Sequence, residues 1–171
     1  MEEQTTDKTD EQSFDHELAG KYLTVSLADE TYGVPISPIE DIIEMKDITS
    51  VPQTSEFLEG VINLRGSVIP VLDLRKKFQV EVSDYDRKTC IVVVKLDGIL
   101  TGLIVDRVYE VIDLGDEQID PAPNMSQQIK TRFIAGMGKR DDDVIILLNL
   151  EKVLQEEEKK DLEELAEEQP V

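Results

Sequence analysis

Apolar and polar positions alternate in short runs along the chain, a pattern that predicts β-strands with one buried face. The segments with this pattern are Tyr22–Leu27, Tyr32–Val34, Asp47–Val51, Phe57–Ile62, Val68–Leu72, Thr89–Leu96 and Gly98–Val105. A turn at 28–31 separates the first two, and Asp97-Gly98, a pair typical of tight hairpins, lies between the last two. The pattern therefore predicts an all-β chain of hairpins, in the manner of two small barrels.

A helical spacing interrupts the strands once. Ile36, Ile39, Ile42 and Ile43 would share one face of a helix. Ser37 suits the N-cap, with Pro38 at the first helical position and Glu40 completing a capping box. We expect a short helix from Ser37 and a weaker one after Asp106.

Residues 33–78 recur at 102–154. Gly33-Val34 and the segment 36–45 match Gly102-Leu103 and 105–114 at a shift of 69, whereas 57–61 and 68–74 match 133–137 and 144–150 at a shift of 76. The copies differ most at one turn, Asn63–Ser67 in the first copy and Lys139–Asp143 in the second. Subdomains of about 21–85 and 86–154 with a shared interface are expected, with strand exchange possible.

Smaller signals mark the ends of these elements. Pro70 lies inside a predicted strand and lacks an N–H, so it predicts an edge or a bulge. Ile146 holds the same place in the second copy and could pair fully. Residues 115–130 are expected to form a loop, and Asn149 is expected to cap a helix that runs into an acidic tail.

Charge is concentrated at the two ends. The 171 residues carry a net charge of −20, with 40% hydrophobic and 33% charged residues. The tails 1–17 and 155–171 hold much of the excess and predict solvated or disordered acidic segments around a domain at 18–154, the second of them a helix or a tail. An acidic surface disfavours nucleic acid and anionic membranes, and no apolar run predicts a membrane span.

No pattern predicts catalysis or a metal site. The single histidine, His16, lies in the acidic N-terminal segment, and zinc and P-loop motifs are missing from the sequence. The triplet Asp141-Asp142-Asp143 lacks the spacing of a calcium loop and is interpreted as a solvated turn. Cys90, the only cysteine, is expected to be a small buried residue. We expect no enzyme activity, no metal and no cofactor.

The string Asn63-Leu64-Arg65-Gly66, followed by Val68–Val71 with Pro70 and by Asp73-Leu74-Arg75, is the most specific in the chain. With Tyr32–Val34, Val105–Val108 and Pro121–Pro123 it resembles the CheW family of bacterial chemotaxis adaptors, over about 21–154. The resemblance implies two SH3-like five-stranded barrels and a non-catalytic scaffold that couples methyl-accepting chemoreceptors to the histidine kinase CheA. It also implies a free-standing adaptor that is monomeric when free, cytoplasmic, and recruited to membrane-associated receptor arrays.

The resemblance further implies two binding surfaces. The cytoplasmic tip of a receptor would bind a groove lined by Ile36, Ile39, Ile42 and Val108, and Arg65 of the signature turn would contribute to receptor coupling. The CheA regulatory domain would bind near Ile48 and Val51. Each apolar residue could equally be a plain core residue, and Arg65 could bridge to Asp41 or Glu40, contact a receptor carboxylate, or be exposed without a role.

Two other functions remain open at this point. The chain could be the regulatory domain of a CheA-like kinase, or an enzyme built on small barrels, which the missing motifs oppose.

Overall fold

The computed structural model describes residues 18–52, 58–121 and 133–153. Eleven strands account for most of them, with two one-turn helices and one 3₁₀ turn. The strands are β1 Gly20–Leu27, β2 Glu30–Pro35, β3 Ile39–Glu44, β4 Leu58–Leu64, β5 Ser67–Asp73, β6 Cys90–Leu96, β7 Ile99–Val105, β8 Arg107–Leu114, β9 Ile119–Pro121, β10 Ile134–Arg140 and β11 Asp143–Leu148. The helices are Leu74–Lys77 and Leu150–Val153, and the 3₁₀ turn is Asp116–Gln118. The all-β class is therefore confirmed.

Two sheets follow one common strand order. The first sheet runs β8-β1-β2-β11-β10-β9 and the second β3-β6-β7-β5-β4. Under the sequence repeat the first five strands of the first sheet correspond in order to the five of the second, and β9 is an additional edge strand. The first sheet takes the hairpin β1–β2 from the N-terminal half of the chain and its other strands from the C-terminal half. The second sheet takes the hairpin β6–β7 from the C-terminal half and its other strands from the N-terminal half. A boundary near residue 85 thus divides the copies in sequence but not the sheets.

The hairpin predictions are confirmed at their turns. Asp97 and Gly98 have φ of 52° and 81°, and Arg65 and Gly66 have φ of 54° and 88°. Two successive positive φ values give the backbone twist that joins antiparallel strands through two residues. The turn predicted at 63–67 is consequently shorter than expected, because Asn63, Leu64 and Ser67 belong to the strands.

The helix predicted from Ser37 is wrong, because residues 39–44 form strand β3. A register shift between Ile39 and Asp41 lets Ile39 pair with Val94 and Ile42 with Val92. A β-bulge therefore places two isoleucines three positions apart on one face, a spacing that also fits a helix.

The weaker helix expected after Asp106 is wrong for the same reason. Residues 107–114 form strand β8. Val108 pairs with Val25 and Val111 with Leu23, so β8 has one residue more than β1 between these pairs. The bulge is thus repeated in both copies.

Two further strand predictions need correction. The segment 47–51 is not a strand, since only Thr49 forms a bridge, to Val61 of β4. Of the two alternatives for Pro70, the edge strand is wrong, since β5 lies between β7 and β4. A bulge does lie next to Pro70, where Leu58 pairs with Leu72 and Gly60 with Val71. The parallel pairing of β5 with β7 starts at Val71, one residue beyond Pro70, so this pairing does not need the N–H that proline lacks. In the second copy this pairing starts at Ile146, as its N–H allows.

The core is arranged in three layers. A central cluster between the sheets contains Leu23, Val25, Val92, Val94 and Leu103. Smaller clusters lie on the outer sides of the two sheets, around Leu147 for the first sheet and Ile69 for the second. The inner strands therefore bury residues on both faces, as in a pair of packed barrels.

The remaining elements lie toward the C-terminus. Within 115–121, where a loop was predicted, the chain forms the 3₁₀ turn and β9, and the rest of that prediction lies outside the described residues. Asn149 accepts the Lys152 N–H at 3.3 Å, as predicted for a capping residue. The predictions for both acidic tails lie outside the described residues. Within the described part of the chain, no helix has the length and apolar character needed to cross a membrane.

Candidate functional site

The signature turn is built by its own side chains. The Asn63 Oδ1 accepts the Gly66 N–H at 2.9 Å, which closes the turn between β4 and β5. Arg65 holds φ of 54°, a left-handed conformation that costs a non-glycine residue about 1 kcal/mol. The turn thus presents the Arg65 side chain outward, with 78% of it exposed.

Arg65 is paired with Asp41 and not with Glu40. Its Nη2 donates to the Asp41 Oδ2 at 2.9 Å, and the Asp41 side chain is 27% exposed. The other oxygen of Asp41 accepts the Ile42 N–H at 2.9 Å, so the carboxylate is fixed on edge strand β3. The ion pair joins residues 24 positions apart and leaves most of the guanidinium available to a second acceptor.

The four apolar residues assigned to a receptor groove lie at the border of the central core. Ile36, Ile39 and Val108 are half-buried and pack against that core, whereas Ile42 is 41% exposed. Ile39 and Ile42 share a face of β3, and Val108 lies on β8 of the first sheet. Ile39, Ile42 and Val108 therefore lie on edge strands, where a partner can reach them, and Ile36 lies in the turn that leads from β2 to β3.

The residues assigned to kinase binding adjoin a depression of about 440 Å³. Ile48 and Val51 are half-buried, and Ile48 packs against the core of the second sheet. Ile48 lines the depression together with Met45, Lys46, Asp47, Ser50, Glu59 and Tyr85. Val51 does not line it. The mixed lining is typical of a protein-binding surface with a small apolar centre and a polar rim.

Two side chains on the rim of this depression were not identified from the sequence. Glu59 forms an ion pair with Lys76, and the hydrogen bond to Glu59 is the largest cause that raises the pKa of Lys76. Tyr85 is 45% exposed, and partial burial is the main cause that raises the pKa of its hydroxyl. An exposed aromatic ring beside Ile48 adds an apolar contact of the kind enriched in interfaces.

A buried ion cluster, also missed by the sequence analysis, holds Tyr85 in place. The Nε and Nη2 of Arg75 donate to the two oxygens of Asp73 at 3.0 and 2.9 Å, and Nη1 donates to Asp106 at 2.9 Å and to the Ser83 carbonyl at 2.8 Å. The guanidinium also lies 5.3 Å from the centre of the Tyr85 ring. Burial lowers the pKa of Arg75, but the bonds and charges of Asp73 and Asp106 outweigh burial and raise it.

The cluster joins the two halves of the chain. Asp106 accepts the Ala28 N–H at 2.8 Å, and its own N–H donates to the Ser26 carbonyl at 3.0 Å. Arg75 follows β5 of the second sheet, while Ser26 belongs to β1 of the first. Because Arg75 and Asp73 are fully buried, the cluster serves to fix the relative position of these elements.

The second copy contains a related ion pair at a shifted position. Arg140, which aligns with Leu64, contacts Glu110 at 3.5 Å, and Glu110 aligns with Asp41. Asp141 takes the turn position that Arg65 occupies in the first copy. An arginine–carboxylate pair thus bridges hairpin and edge strand in both copies, but only the first copy has the arginine at the tip of the turn.

Other candidate chemistry is sparse in the described part of the chain. Cys90 is half-buried against the central core, and burial is the main cause that raises the pKa of its thiol. Among residues 18–52, 58–121 and 133–153, no three His, Cys, Asp or Glu side chains are grouped to hold a metal ion.

Comparisons with known proteins agree with this architecture. The family model described as "CheW-like domain" matches residues 21–158. The chain is 35% identical over 138 residues to a "Chemotaxis protein CheW" from Klebsiella aerogenes, covering 81% of this chain and 83% of that protein. It is 34% identical over 134 residues to the protein of that name from Thermotoga maritima, covering 78% and 87%. The crystal structure of the scaffolding protein TtCheW from Thermoanaerobacter tengcongensis matches with a TM-score of 0.75 and 38% identity, over 82% of this chain and 95% of that chain.

Proposed function

The chain belongs to the CheW-like family and acts as a chemotaxis adaptor that couples chemoreceptors to the histidine kinase CheA. We propose that two surfaces divide this work, one formed by residues of both sheets and one on the second sheet. One surface, the receptor surface, consists of the Asn63–Gly66 turn with Arg65 and the apolar residues Ile36, Ile39, Ile42 and Val108. The other, the kinase surface, surrounds Ile48 and Val51. The match of the family model over residues 21–158 supports the function.

The receptor surface suits the helical hairpin at the cytoplasmic tip of a chemoreceptor. Aliphatic side chains on an edge strand can receive the apolar face of a helix. Arg65 adds a charge that is 78% exposed and is held by Asp41 in one orientation. A guanidinium fixed in this way can donate hydrogen bonds to a receptor carboxylate with little further loss of side-chain freedom.

The kinase surface suits the regulatory domain of CheA. The depression beside Ile48 offers an apolar centre with charged residues at its border. Such contacts are small, and affinity in an array arises from many of them acting together. We further propose that the chain works without catalysis of its own, is monomeric when free, and acts in the cytoplasm at membrane-associated receptor arrays.

A matched pair of arginine variants tests the receptor surface. The full chain carrying Arg65→Glu or Arg140→Glu is combined with chemoreceptor-containing membranes and CheA, and receptor-dependent kinase activation is measured. We expect Arg65→Glu to abolish activation while binding of the CheA regulatory domain persists. Arg140→Glu reverses the same charge in the counterpart ion pair and should retain activation.

Stability separates a functional effect from a structural one. Both arginines are largely exposed, so each exchange should change the free energy of unfolding by no more than about 1 kcal/mol. Equal loss of activation in the two variants would exclude a specific role for Arg65. Unfolding of Arg65→Glu would show that the arginine is structural.

A further inference from the structure

The receptor surface and the kinase surface are neighbours along one strand. Thr49 and Val61 exchange two backbone hydrogen bonds of 2.9 Å, which attaches the segment 45–51 to β4. Two residues beyond Val61, Asn63 begins the turn that carries Arg65. Any displacement of the β4 end therefore acts on the attachment point of the segment that contains Ile48.

Lys46 provides a second link between the same two elements. Its Nζ donates to the Asn63 carbonyl at 2.8 Å. The side chain of Asn63 closes the turn by accepting the Gly66 N–H. Lys46 thus joins the border of the kinase depression, which it lines, directly to the turn that presents Arg65.

Gly60 keeps the attached segment close to the strand. It has φ of 147°, and a Cβ at this position would lie 2.1 Å from the Thr49 carbonyl oxygen and 2.9 Å from Ile48 Cγ2. Real Cβ atoms do not approach other atoms so closely, so the segment can pack here only against glycine. The position of Ile48 relative to β4 is consequently fixed by direct contact.

We propose that Lys46 is a positioning residue that couples the two surfaces, an inference that rests on the proposed function. Lys46 and the Thr49–Val61 bridge hold the turn and the Ile48 segment in one arrangement, so a partner that stabilises this arrangement at the turn also stabilises it at the segment. Binding of a receptor then favours binding of CheA, and thermodynamic linkage requires the reverse effect to be equally large.

The second copy supplies a matched control. Gln118 Nε2 donates at 3.4 Å to the carbonyl of Lys139, the residue that aligns with Asn63. A side-chain donor therefore reaches the equivalent carbonyl in both copies, but the second turn lacks the arginine. Gln118→Glu removes this donor but keeps the Oε1 that accepts the Gly115 N–H at 3.0 Å, so it should weaken the same kind of contact without affecting communication between the partners.

The test measures the affinity of the full chain for the CheA regulatory domain, with and without a saturating soluble chemoreceptor tip fragment. The ratio of the two dissociation constants is the coupling factor. Lys46→Met keeps the aliphatic stem and removes the donor, so the coupling factor should fall about two- to fivefold, as expected for one solvent-exposed charged contact. Any direct effect of Lys46 on CheA binding cancels in this ratio, because it acts with and without the receptor fragment, and Lys46→Arg should restore the coupling.

Each other outcome has a distinct meaning. Binding of neither partner by the folded wild-type chain would refute the proposed function itself. Binding of both without coupling, or the same coupling in Lys46→Met as in the wild type, would overturn the inference and leave the proposed function standing. An equal loss of coupling in Gln118→Glu would show that Lys46 only stabilises a strand end, which also overturns the inference.

Discussion

Replacing Arg75 by methionine should destabilise the protein more than any exchange of an exposed charge. The side chains of Arg75 and Asp73 are both fully buried, and Asp73 receives two hydrogen bonds from the guanidinium. Methionine fills a similar volume without a charge, so the main consequence is a buried carboxylate without its cation. Removing one partner of such a pair costs about 3–5 kcal/mol.

The structure determines how this cost is distributed. Asp106 is 18% exposed and keeps its bond to the Ala28 N–H, so its loss of the guanidinium is partly offset by water. Asp73 has no exposed surface, so its desolvation dominates. For a domain of this size each kcal/mol shifts the thermal midpoint by about 2–4 °C, so we expect a decrease of about 6–20 °C.

Urea unfolding followed by circular dichroism measures the effect, with two further variants as controls. Arg107→Met removes an exposed arginine next to Asp106 and should change the free energy of unfolding by about 0.5 kcal/mol or less. Adding Asp73→Asn to Arg75→Met removes the unpaired charge and should recover part of the loss. The reasoning is refuted if Arg75→Met costs no more than Arg107→Met, or if the double variant is less stable than Arg75→Met.

Three other predictions use single residues. Gly60→Ala should lower the free energy of unfolding by more than about 1 kcal/mol, because alanine would be strained at φ of 147° and too close to Thr49. An unchanged urea midpoint would contradict the close packing of Thr49 against Gly60. The hydrogen bond from the Lys88 backbone N–H is the main cause that lowers the pKa of Asp86, so ionised Asp86 stabilises the fold above its unfolded pKa. The difference in free energy of unfolding between the wild type and Asp86→Asn should be constant near neutral pH and shrink below about pH 4. A difference that does not depend on pH would exclude this contribution. Burial raises the pKa of the Cys90 thiol, so a disulfide reagent at pH 7 should modify the native chain more slowly than the urea-unfolded chain, and equal rates would show that the thiol is not protected.

Hairpins could be predicted from the sequence because their signals are local. Asp97-Gly98 lies between two apolar runs, and both residues adopt the positive φ that a two-residue turn needs. The spacing of Ile39 and Ile42 predicted a helix in place of β3, because a bulge and a helical turn both place residues three positions apart on one face. Pairing with β6 decides between them, and that pairing is not visible in a short window of sequence.

The ion cluster could not be predicted because its members are brought together only by the fold. Asp73 and Arg75 are two residues apart, a spacing that is common on protein surfaces, and Asp106 lies 31 positions beyond Arg75. The burial of Asp73 and Arg75 and their meeting with Asp106 depend on how β5 and β7 pair and on where the chain crosses from one sheet to the other. The resemblance to a family indicated that these positions matter, but it did not reveal that they meet.

The second copy of the repeat shows which feature distinguishes Arg65 from an ordinary ion-paired arginine. An arginine–carboxylate pair between hairpin and edge strand occurs in both copies, at 2.9 Å for Arg65 with Asp41 and at 3.5 Å for Arg140 with Glu110. The pair alone is therefore a shared property of the fold and cannot distinguish a receptor contact. What differs is the place of the arginine, since Arg65 lies at the tip of its turn with 78% of its side chain exposed, whereas 47% of Arg140 is exposed within its strand. A difference in activation between Arg65→Glu and Arg140→Glu would accordingly report on presentation by the turn, because charge and ion pairing are changed alike in both variants.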